Sequence, residues 1–278
     1  IFNPEAKTFD ISMLGFDDET LVKWKEVVDK PTGLILLTGP TGSGKTTAIY
    51  AAIGFILDKQ GNAVSVSSVE DPVEQNLDWV NQSSLNTAQG YTYPIALRSL
   101  MRQDPEIIMI GEIRDKETSE IAVNAAMTGH MVMSTLHSGT TSGTFARLIN
   151  MDIEPFLLAS TIIGVLGLRL LRQNCIHCSG PYTPEPFALE QLRQHEGEQY
   201  LQSLVSQEGF YRGNGCSACG NTGFGGRSSI TELLVCDEEI REAVMLKKPS
   251  RVIQKIAVDN GMRVLWDGGL QLVVDRRT

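Results

Sequence analysis

Residues 39–47 have the types and spacing of a phosphate-binding loop of the form GxxxxGK[ST]. Glycines let successive backbone N–H groups turn towards an anion, and the N-terminus of a following helix adds a positive dipole end. Lys45 can reach the β- and γ-phosphates of a nucleotide, and the Thr46 hydroxyl can bind Mg²⁺. The sequence therefore predicts a nucleoside triphosphate site, with a glycine-rich turn that binds nothing as the alternative. The loop residues are Gly39, Pro40, Thr41, Gly42, Ser43, Gly44, Lys45, Thr46 and Thr47.

Carboxylates follow two further strand-like runs. Residues 107–110 lead into Gly111-Glu112, which has the form of a Walker B element, and residues 63–69 lead into an acidic segment, Glu70 to Glu74. Ligands of open α/β sheets bind outside the carboxyl ends of the strands, where a carboxylate can hold Mg²⁺ or contact the attacking water. Crowded carboxylates also favour a nearby cation or a shared proton. The residue types do not rank Glu74 above Glu112 as the base, and solvated surface charge is the alternative for both.

Two of the four histidines, His130 and His137, bracket the strand-like residues 131–136. Their spacing of seven residues does not match the i,i+4 pair that binds metal on a helix. A histidine at a strand end can donate a hydrogen bond to the γ-phosphate. Two histidines satisfied in the core are the alternative.

Four of the five cysteines form two pairs, Cys175-x-x-Cys178 and Cys216-x-x-Cys219. Two such pairs can place four thiolates tetrahedrally around Zn²⁺, and a site closed by four protein ligands is structural. Free thiols or a redox disulfide are the alternatives. The fifth cysteine, Cys236, is predicted to be a buried apolar residue.

The composition limits the class of partner. The 278 residues include 24 Lys and Arg against 33 Asp and Glu, a net charge of −9. We expect no nucleic acid partner, because proteins that grip a duplex normally carry a basic excess. The chain starts with Ile1, so we expect it to be part of a longer polypeptide, and no signal peptide is visible at this end. The apolar residues 156–171 are too short and too polar for a membrane span and are predicted to form a buried helix.

Strand-like and helix-like segments alternate, which predicts an α/β fold with a mostly parallel sheet and helices on both faces. An amphipathic segment ends near Lys30, and the composition changes near residues 172 and 224. We therefore predict a core at 1–172, a cysteine module at 173–224 and a C-terminal helical segment at 225–278. The predicted strands are 34–38, 63–69, 107–110 and 131–136, and the predicted helices are 47–59, 93–103 and 116–128.

Five motifs, in this order and spacing, resemble those of the secretion ATPases of type II secretion and type IV pilus systems, part of the hexameric RecA-like motor superfamily. The likeness continues through EPFLLAS at 154–160 into the cysteine region, so it spans nearly the whole chain. It implies a RecA-like P-loop fold. The motifs are residues 39–47, the Asp box 69–74, RSLMRQDP at 98–105, IMIGEIRD at 108–115 and the His box 128–137.

The resemblance implies roles for single residues. Lys45 and Thr46 bind phosphate and Mg²⁺, Glu74 polarises the attacking water, and Glu112 helps to hold Mg²⁺ and that water. Of the two histidines, His137 is the implied neighbour of the γ-phosphate.

By this resemblance, Arg98 and Arg102 match arginines that can neutralise developing charge, within the subunit or across a subunit boundary. An ordinary basic helix face is the alternative. The chain has Ser138-Gly139-Thr140 where the family usually continues with Thr-Asn-Asp, so no contact is carried over to those side chains.

The resemblance further implies a homo-hexameric motor on the cytoplasmic face of the inner membrane, working on a membrane platform protein and associated with the membrane through its partners. The family carries a preceding domain that completes a neighbour's site, so we expect this chain alone to bind ATP and hydrolyse it slowly. The four cysteines are typical of assembly or secretion motors. A pilus retraction ATPase, a zinc-ribbon DNA translocase and a nucleotide-binding scaffold without hydrolysis are the alternatives.

Overall fold

The protein is described by a computed structural model that covers residues 9–61, 64–205 and 209–278. The start of the predicted strand 63–69 and the first eight residues of the predicted N-terminal segment lie outside these ranges. The strands are β1 Gly33–Thr38, β2 Val66–Glu70, β3 Asn81–Ser84, β4 Ile107–Ile110, β5 Met131–Leu136, β6 Ile162–Asn174, β7 Ser179–Tyr182, β8 Phe210–Gly213 and β9 Phe224–Val235. The helices are α1 Asp18–Val28, α2 Lys45–Gln60, α3 Tyr93–Leu100, α4 Lys116–Met127, α5 Gly143–Asn150, α6 Pro155–Thr161, α7 Pro186–Glu196, α8 Glu198–Ser203, α9 Glu238–Met245, α10 Ser250–Asp259 and α11 Leu265–Val274.

The chain divides into two units, and each consists of two stretches of sequence. The first contains the chain up to Arg169 together with Thr231–Val264, and the second contains Leu170–Ile230 and Leu265–Thr278. The predicted C-terminal segment 225–278 is therefore divided: it begins as strand β9, its helices α9 and α10 lie in the first unit, and α11 lies in the second.

A parallel sheet forms the centre of the first unit. Strands β3, β2, β4, β5 and β1 lie side by side in that order, followed by the first-unit parts of β6 and β9, and every pairing from β3 to β6 is parallel. The predicted α/β fold with a mostly parallel sheet is confirmed. Because parallel strands share one direction, β1, β2, β4 and β5 bring their carboxyl ends to one edge of the sheet.

The strands of the sheet centre are continuous apolar runs because both faces of the sheet are covered by helices. Alternate residues of β1 pack on opposite sides: Leu34 and Leu36 belong to one core cluster, and Ile35 and Leu37 belong to the other. The pairing of β1 with β5 runs from Gly33 opposite Met131 to Thr38 opposite Leu136.

The prediction of one buried helix over residues 156–171 is wrong beyond residue 161. Helix α6 ends at Thr161, and β6 begins at once with Ile162. A buried apolar run does not by itself separate a helix from a strand. Here β-branched residues follow α6 and favour an extended chain, and two glycines disfavour continuation of the helix. Gly164 also has no space for a side chain, since an added Cβ would lie 2.9 Å from Val27 Cγ1.

The second unit contains the antiparallel pair β7 and β8 and the helices α7, α8 and α11. Asn174 at the end of β6 is buried there and donates from Nδ2 to the carbonyl oxygens of Tyr211 at 3.1 Å and Arg276 at 3.3 Å. These bonds connect the two sequence stretches of this unit. In the described part of the chain, no helix is long and apolar enough to cross a bilayer.

Candidate functional site

The loop 39–47 connects β1 to α2 at the carboxyl edge of the sheet, as predicted. Gly44 precedes α2 with a φ of 92°, a conformation that strains residues with a side chain. No side chain caps the first turn of α2, so its N–H groups remain available to an anion. Gly39 has no space for a side chain, because an added Cβ would lie 2.4 Å from the carbonyl oxygen of Leu168.

Lys45 turns back over the loop. Its ammonium donates to the carbonyl oxygens of Gly39 and Pro40, at 2.9 Å each, and the residue is 9% exposed. Burial lowers the pKa of Lys45, while the charges of Glu112 and Glu74 act in the opposite direction. The two carbonyls hold the ammonium at the phosphate-binding loop. Charged phosphate oxygens are better acceptors than these carbonyls.

Ser43 gives an independent sign that this loop fits an anionic ligand. Its hydroxyl oxygen is buried and has no hydrogen-bond partner in the described part of the chain. A buried hydroxyl without a partner is costly, so such groups in native proteins call for a ligand, an ion or a water molecule. A nucleotide phosphate in the loop would supply the missing acceptor.

Glu112 follows β4 and contacts two basic side chains at this edge. His137 Nε2, at the end of β5, lies 3.1 Å from Glu112 Oε1, and Arg114 Nε donates to Glu112 Oε2. The Glu112 side chain is only 14% exposed. The hydrogen bond with Glu112 is the largest cause of the raised pKa of Arg114. Residues of two separately predicted motifs, 108–115 and 128–137, therefore meet at one point.

The structure divides the acidic segment into two kinds of carboxylate. Glu70 is 2% exposed and accepts hydrogen bonds from Tyr50 Oη, from Ser68 Oγ at 2.6 Å and from Gln82 Nε2 at 3.1 Å. Burial and the contact with Glu70 raise the pKa of Tyr50 well above its usual value. Glu74 is exposed, and its charge acts on both Lys45 and Tyr50. Glu70 is thus a structural carboxylate, whereas Glu74 is available to a ligand.

The two histidines lie at opposite ends of β5. The carbonyl oxygen of His130 accepts from the N–H of Gly33 at the start of β1, and His130 Nδ1 lies 2.9 Å from the carbonyl oxygen of Ala125. The six residues of β5 separate the two by about 20 Å at the usual rise per residue of a strand. Only His137 reaches the edge that carries the phosphate-binding loop.

Arg98 and Arg102 are exposed on α3 and the turn after it. Arg98 Nη2 lies 2.7 Å from Glu117 Oε1 in α4, and both side chains are more than half exposed. An exposed pair of this kind contributes little to stability. Their position on the surface leaves them accessible to another molecule.

Arg169 and Glu232 are two further candidate site residues, which none of the sequence motifs contains. Arg169 Nη1 would lie 3.1 Å from a Cβ added at Gly39, and its charge contributes to the lowered pKa of Lys45. Glu232 is a buried carboxylate that accepts a hydrogen bond from the hydroxyl of Thr141, a residue that follows the His box. The sequence signal is weak: each is a charged residue beside apolar residues of a strand, Arg169 in β6 and Glu232 in β9.

In the second unit, the four cysteines predicted as metal ligands form one cluster. Their sulfur atoms all lie within 4.8 Å of one another. Three backbone N–H groups donate to these sulfurs: Gly215 to Cys178 at 3.3 Å, and Cys216 and Gly223 to Cys219 at 3.2 and 3.3 Å. The bond from the Cys216 N–H is the largest cause that lowers the pKa of Cys219, to about 6.

Donation by backbone N–H groups stabilises thiolates, and thiolates are the form that binds metal. The donor set and its spacing therefore fit a metal ion. Cys236 is buried and belongs to the core of the first unit, as predicted.

Strand, phosphate-binding loop, helix and a strand-end carboxylate with its histidine define a P-loop nucleotide-binding protein. The chain belongs to the family described as "Type II/IV secretion system protein", whose profile matches residues 1–278. Its fold is that of the RecA-like secretion ATPases, as the resemblance implied.

Curated relatives carry the names of secretion and pilus ATPases. The chain is 42% identical over 261 residues to the type IV pilus assembly ATPase PilB of Thermus thermophilus, covering 94% of this chain and 28% of that protein. It is 43% identical over 243 residues to the type II secretion system protein E of Aeromonas hydrophila, covering 87% and 46%. The chain thus spans about a quarter to half of the length of these relatives.

A solved structure supports the same fold. The crystal structure of the pilus retraction motor PilT with bound ADP superimposes with a TM-score of 0.64 at 26% identity, covering 95% of this chain and 66% of that one.

Proposed function

We propose that this chain is the ATP-hydrolysing part of a hexameric motor that powers type IV pilus assembly or type II secretion. The observation that carries the proposal is the contact between Glu112 and His137 at the sheet edge. It lies beside the phosphate-binding loop, in which Lys45 and the buried hydroxyl of Ser43 can bind an anion. The names of the relatives support the choice of an assembly or secretion motor over a retraction motor, because the identity to PilB is 42% and that to PilT is 26%.

The loop residues bind the triphosphate. The N–H groups of the loop and of the first turn of α2 donate to phosphate oxygens, and Lys45 moves its ammonium from the carbonyls of Gly39 and Pro40 to the β- and γ-phosphates. The Thr46 hydroxyl and the Glu112 carboxylate would hold Mg²⁺, and the bound ion would supply neutralisation of the charge that develops between the phosphates.

Glu74 and Glu112 have different roles towards the attacking water. Glu74 is exposed and close enough for its charge to act on Lys45, so it accepts the proton of the water as general base. Glu112 is held by His137 and Arg114 and orients the water and the metal. When both ring nitrogens carry a proton, His137 donates from Nε2 to Glu112 and from Nδ1 to the γ-phosphate.

The assembly requires more than one chain. Arg98 and Arg102 are exposed, which supports a role at a neighbouring subunit's phosphates. We propose a homo-hexamer at the cytoplasmic face of the inner membrane, bound to a platform protein of the secretion or pilus system. The net charge of −9 supports the absence of a nucleic acid partner.

We also propose that the cysteine cluster binds one Zn²⁺ in a closed, structural site. Four thiolates leave no open position, so the ion stabilises the second unit and takes no part in hydrolysis. The N–H donors to the sulfurs of Cys178 and Cys219 support this assignment.

Release of inorganic phosphate from Mg²⁺-ATP tests the proposal. Lys45→Ala should abolish turnover, because the ammonium that binds the β- and γ-phosphates is lost. Lys59→Ala, at the exposed far end of the same helix, is the matched control and should keep the turnover of the unsubstituted chain. Full turnover in Lys45→Ala would reject the assignment of the site.

A further inference from the structure

The segment that follows β5, residues 137–142, is anchored from three different strands; we refer to it as the His137 loop. The first anchor is Thr38, the last residue of β1. Thr38 Oγ1 donates to the carbonyl oxygen of Ser138 at 2.8 Å, and the N–H of Ser138 donates back to Thr38 Oγ1 at 3.0 Å. The loop is thereby fixed beside Gly39, where the phosphate-binding loop begins.

The second anchor is Arg169 in β6. Its Nη2 donates to the carbonyl oxygen of Gly139 at 3.3 Å, and its Nη1 donates to the carbonyl oxygen of Leu168 at 2.9 Å. The same Nη1 would lie 3.1 Å from a Cβ added at Gly39. One guanidinium thus bonds the His137 loop and lies beside Gly39 of the phosphate-binding loop. Gly139 has no side chain, so its backbone carbonyl is the group that Arg169 can recognise.

The third anchor is Glu232 in β9. Thr141 Oγ1 donates to Glu232 Oε1, and the N–H of Thr141 lies 3.4 Å from the same oxygen. Glu232 is 5% exposed and Thr141 is fully buried. Burying a carboxylate is costly even when hydroxyl and amide groups donate to it. An apolar pair at these positions would cost less, so the bond has a use other than stability alone.

We propose that Arg169 and Glu232 are positioning residues, which hold the His137 loop so that His137 meets Glu112. They act through the backbone of Gly139 and the side chain of Thr141, and neither needs to touch the nucleotide. His137 is the first residue of this loop. A shift of the anchors therefore displaces His137 Nε2 from Glu112 Oε1, which lies 3.1 Å away. A displacement of about 1 Å in an active site can lower a rate by about 100-fold.

The histidine side chains supply a test that does not depend on hydrolysis. In chain labelled with ¹³C at histidine, the imidazole resonances of His130, His177 and His195 serve as internal references, and His137→Gln assigns the fourth. Arg169→Gln and Glu232→Ala should each shift the His137 resonance and leave the other three unchanged. Glu232→Gln, which keeps an acceptor for Thr141 Oγ1, should restore the resonance, and Arg169→Lys should restore it in part.

Turnover adds a second measurement, and this one rests on the proposed function. Arg169→Gln and Glu232→Ala should lower kcat roughly 10- to 100-fold while the Kd of a fluorescent ATP analogue changes less than about threefold. Arg172→Gln is the matched control, because Arg172 lies three residues along the same strand and over the ring of Phe224, and it should leave both values unchanged.

The inference is overturned if the His137 resonance stays in place in both Arg169→Gln and Glu232→Ala, or if Arg172→Gln shifts it equally. Equal losses in kcat and in nucleotide affinity would also overturn it, since they would place Arg169 on the nucleotide itself. If the full-length protein hydrolyses no ATP, the proposed function fails, and the resonances still decide the role of the two anchors.

Discussion

The hydroxyl of Tyr50 in α2 donates to the buried carboxylate of Glu70 at the end of β2. This bond joins the helix that follows the phosphate-binding loop to the acidic segment that carries Glu74. The position of the exposed Glu74 carboxylate relative to the phosphate-binding loop is therefore set by the buried Glu70, four residues earlier in the chain.

Tyr50→Phe should destabilise the protein by about 1–3 kcal/mol, because a buried carboxylate loses one of its donors. Unfolding in urea, followed by circular dichroism, measures the change. Glu74→Gln is the control and should leave the midpoint unchanged, since Glu74 is exposed. Equal midpoints for Tyr50→Phe and the unsubstituted chain would show that the bond does not stabilise the fold.

Glu74 and Glu112 should respond differently to loss of charge. Glu74→Gln should lower kcat by about 100-fold or more without changing the Mg²⁺ concentration that gives half-maximal turnover, as loss of a general base does. Glu112→Gln should raise that Mg²⁺ concentration. A titration of turnover with Mg²⁺ separates the two, with the exposed Asp78→Asn as control. If both variants behave alike, the division of roles is wrong.

Gly39→Ala should abolish binding of a fluorescent ATP analogue, since the new methyl group would lie 2.4 Å from a backbone oxygen of β6 that cannot move alone. Gly225→Ala is the matched control, because its added Cβ would meet its nearest neighbour at 3.6 Å, an ordinary contact distance. Nucleotide binding by Gly39→Ala at the original affinity would contradict the close approach described.

The cysteine cluster should contain one zinc ion per chain, measured by elemental analysis of the purified protein. Cys178→Ser should lose the ion and expose the second unit to proteolysis, since the metal supplies part of its folding free energy. Cys236→Ala should keep the full zinc content, because Cys236 belongs to the core of the first unit. A zinc content unchanged in Cys178→Ser would rule out the proposed ligand set.

The central strands and the loop could be predicted from sequence because each is a short, local pattern. Residues 34–38, 107–110 and 131–136 are apolar runs of strand length, and the motif residues follow them directly. Residues 156–171 could not be assigned in the same way, since burial on all sides removes the periodicity that separates a helix from a strand.

The anchors of the His137 loop were missed for a different reason. Thr141 and Glu232 are 91 residues apart, and Arg169 and Gly139 are 30 apart. No local pattern records a contact between distant residues, and a charged residue in a strand has several explanations. The same holds for Glu70 and Glu74, which are alike in sequence and differ only once the tertiary structure buries one of them.

The second unit is assembled from Leu170–Ile230 and Leu265–Thr278, with a stretch of the first unit between them in the chain. It cannot be excised or exchanged as one contiguous piece. A deletion of residues 170–230 alone would leave α11 without the rest of its unit. A truncation after residue 264 would remove α11 from the unit that holds the cysteines. Chimaeras between relatives must therefore exchange both stretches together.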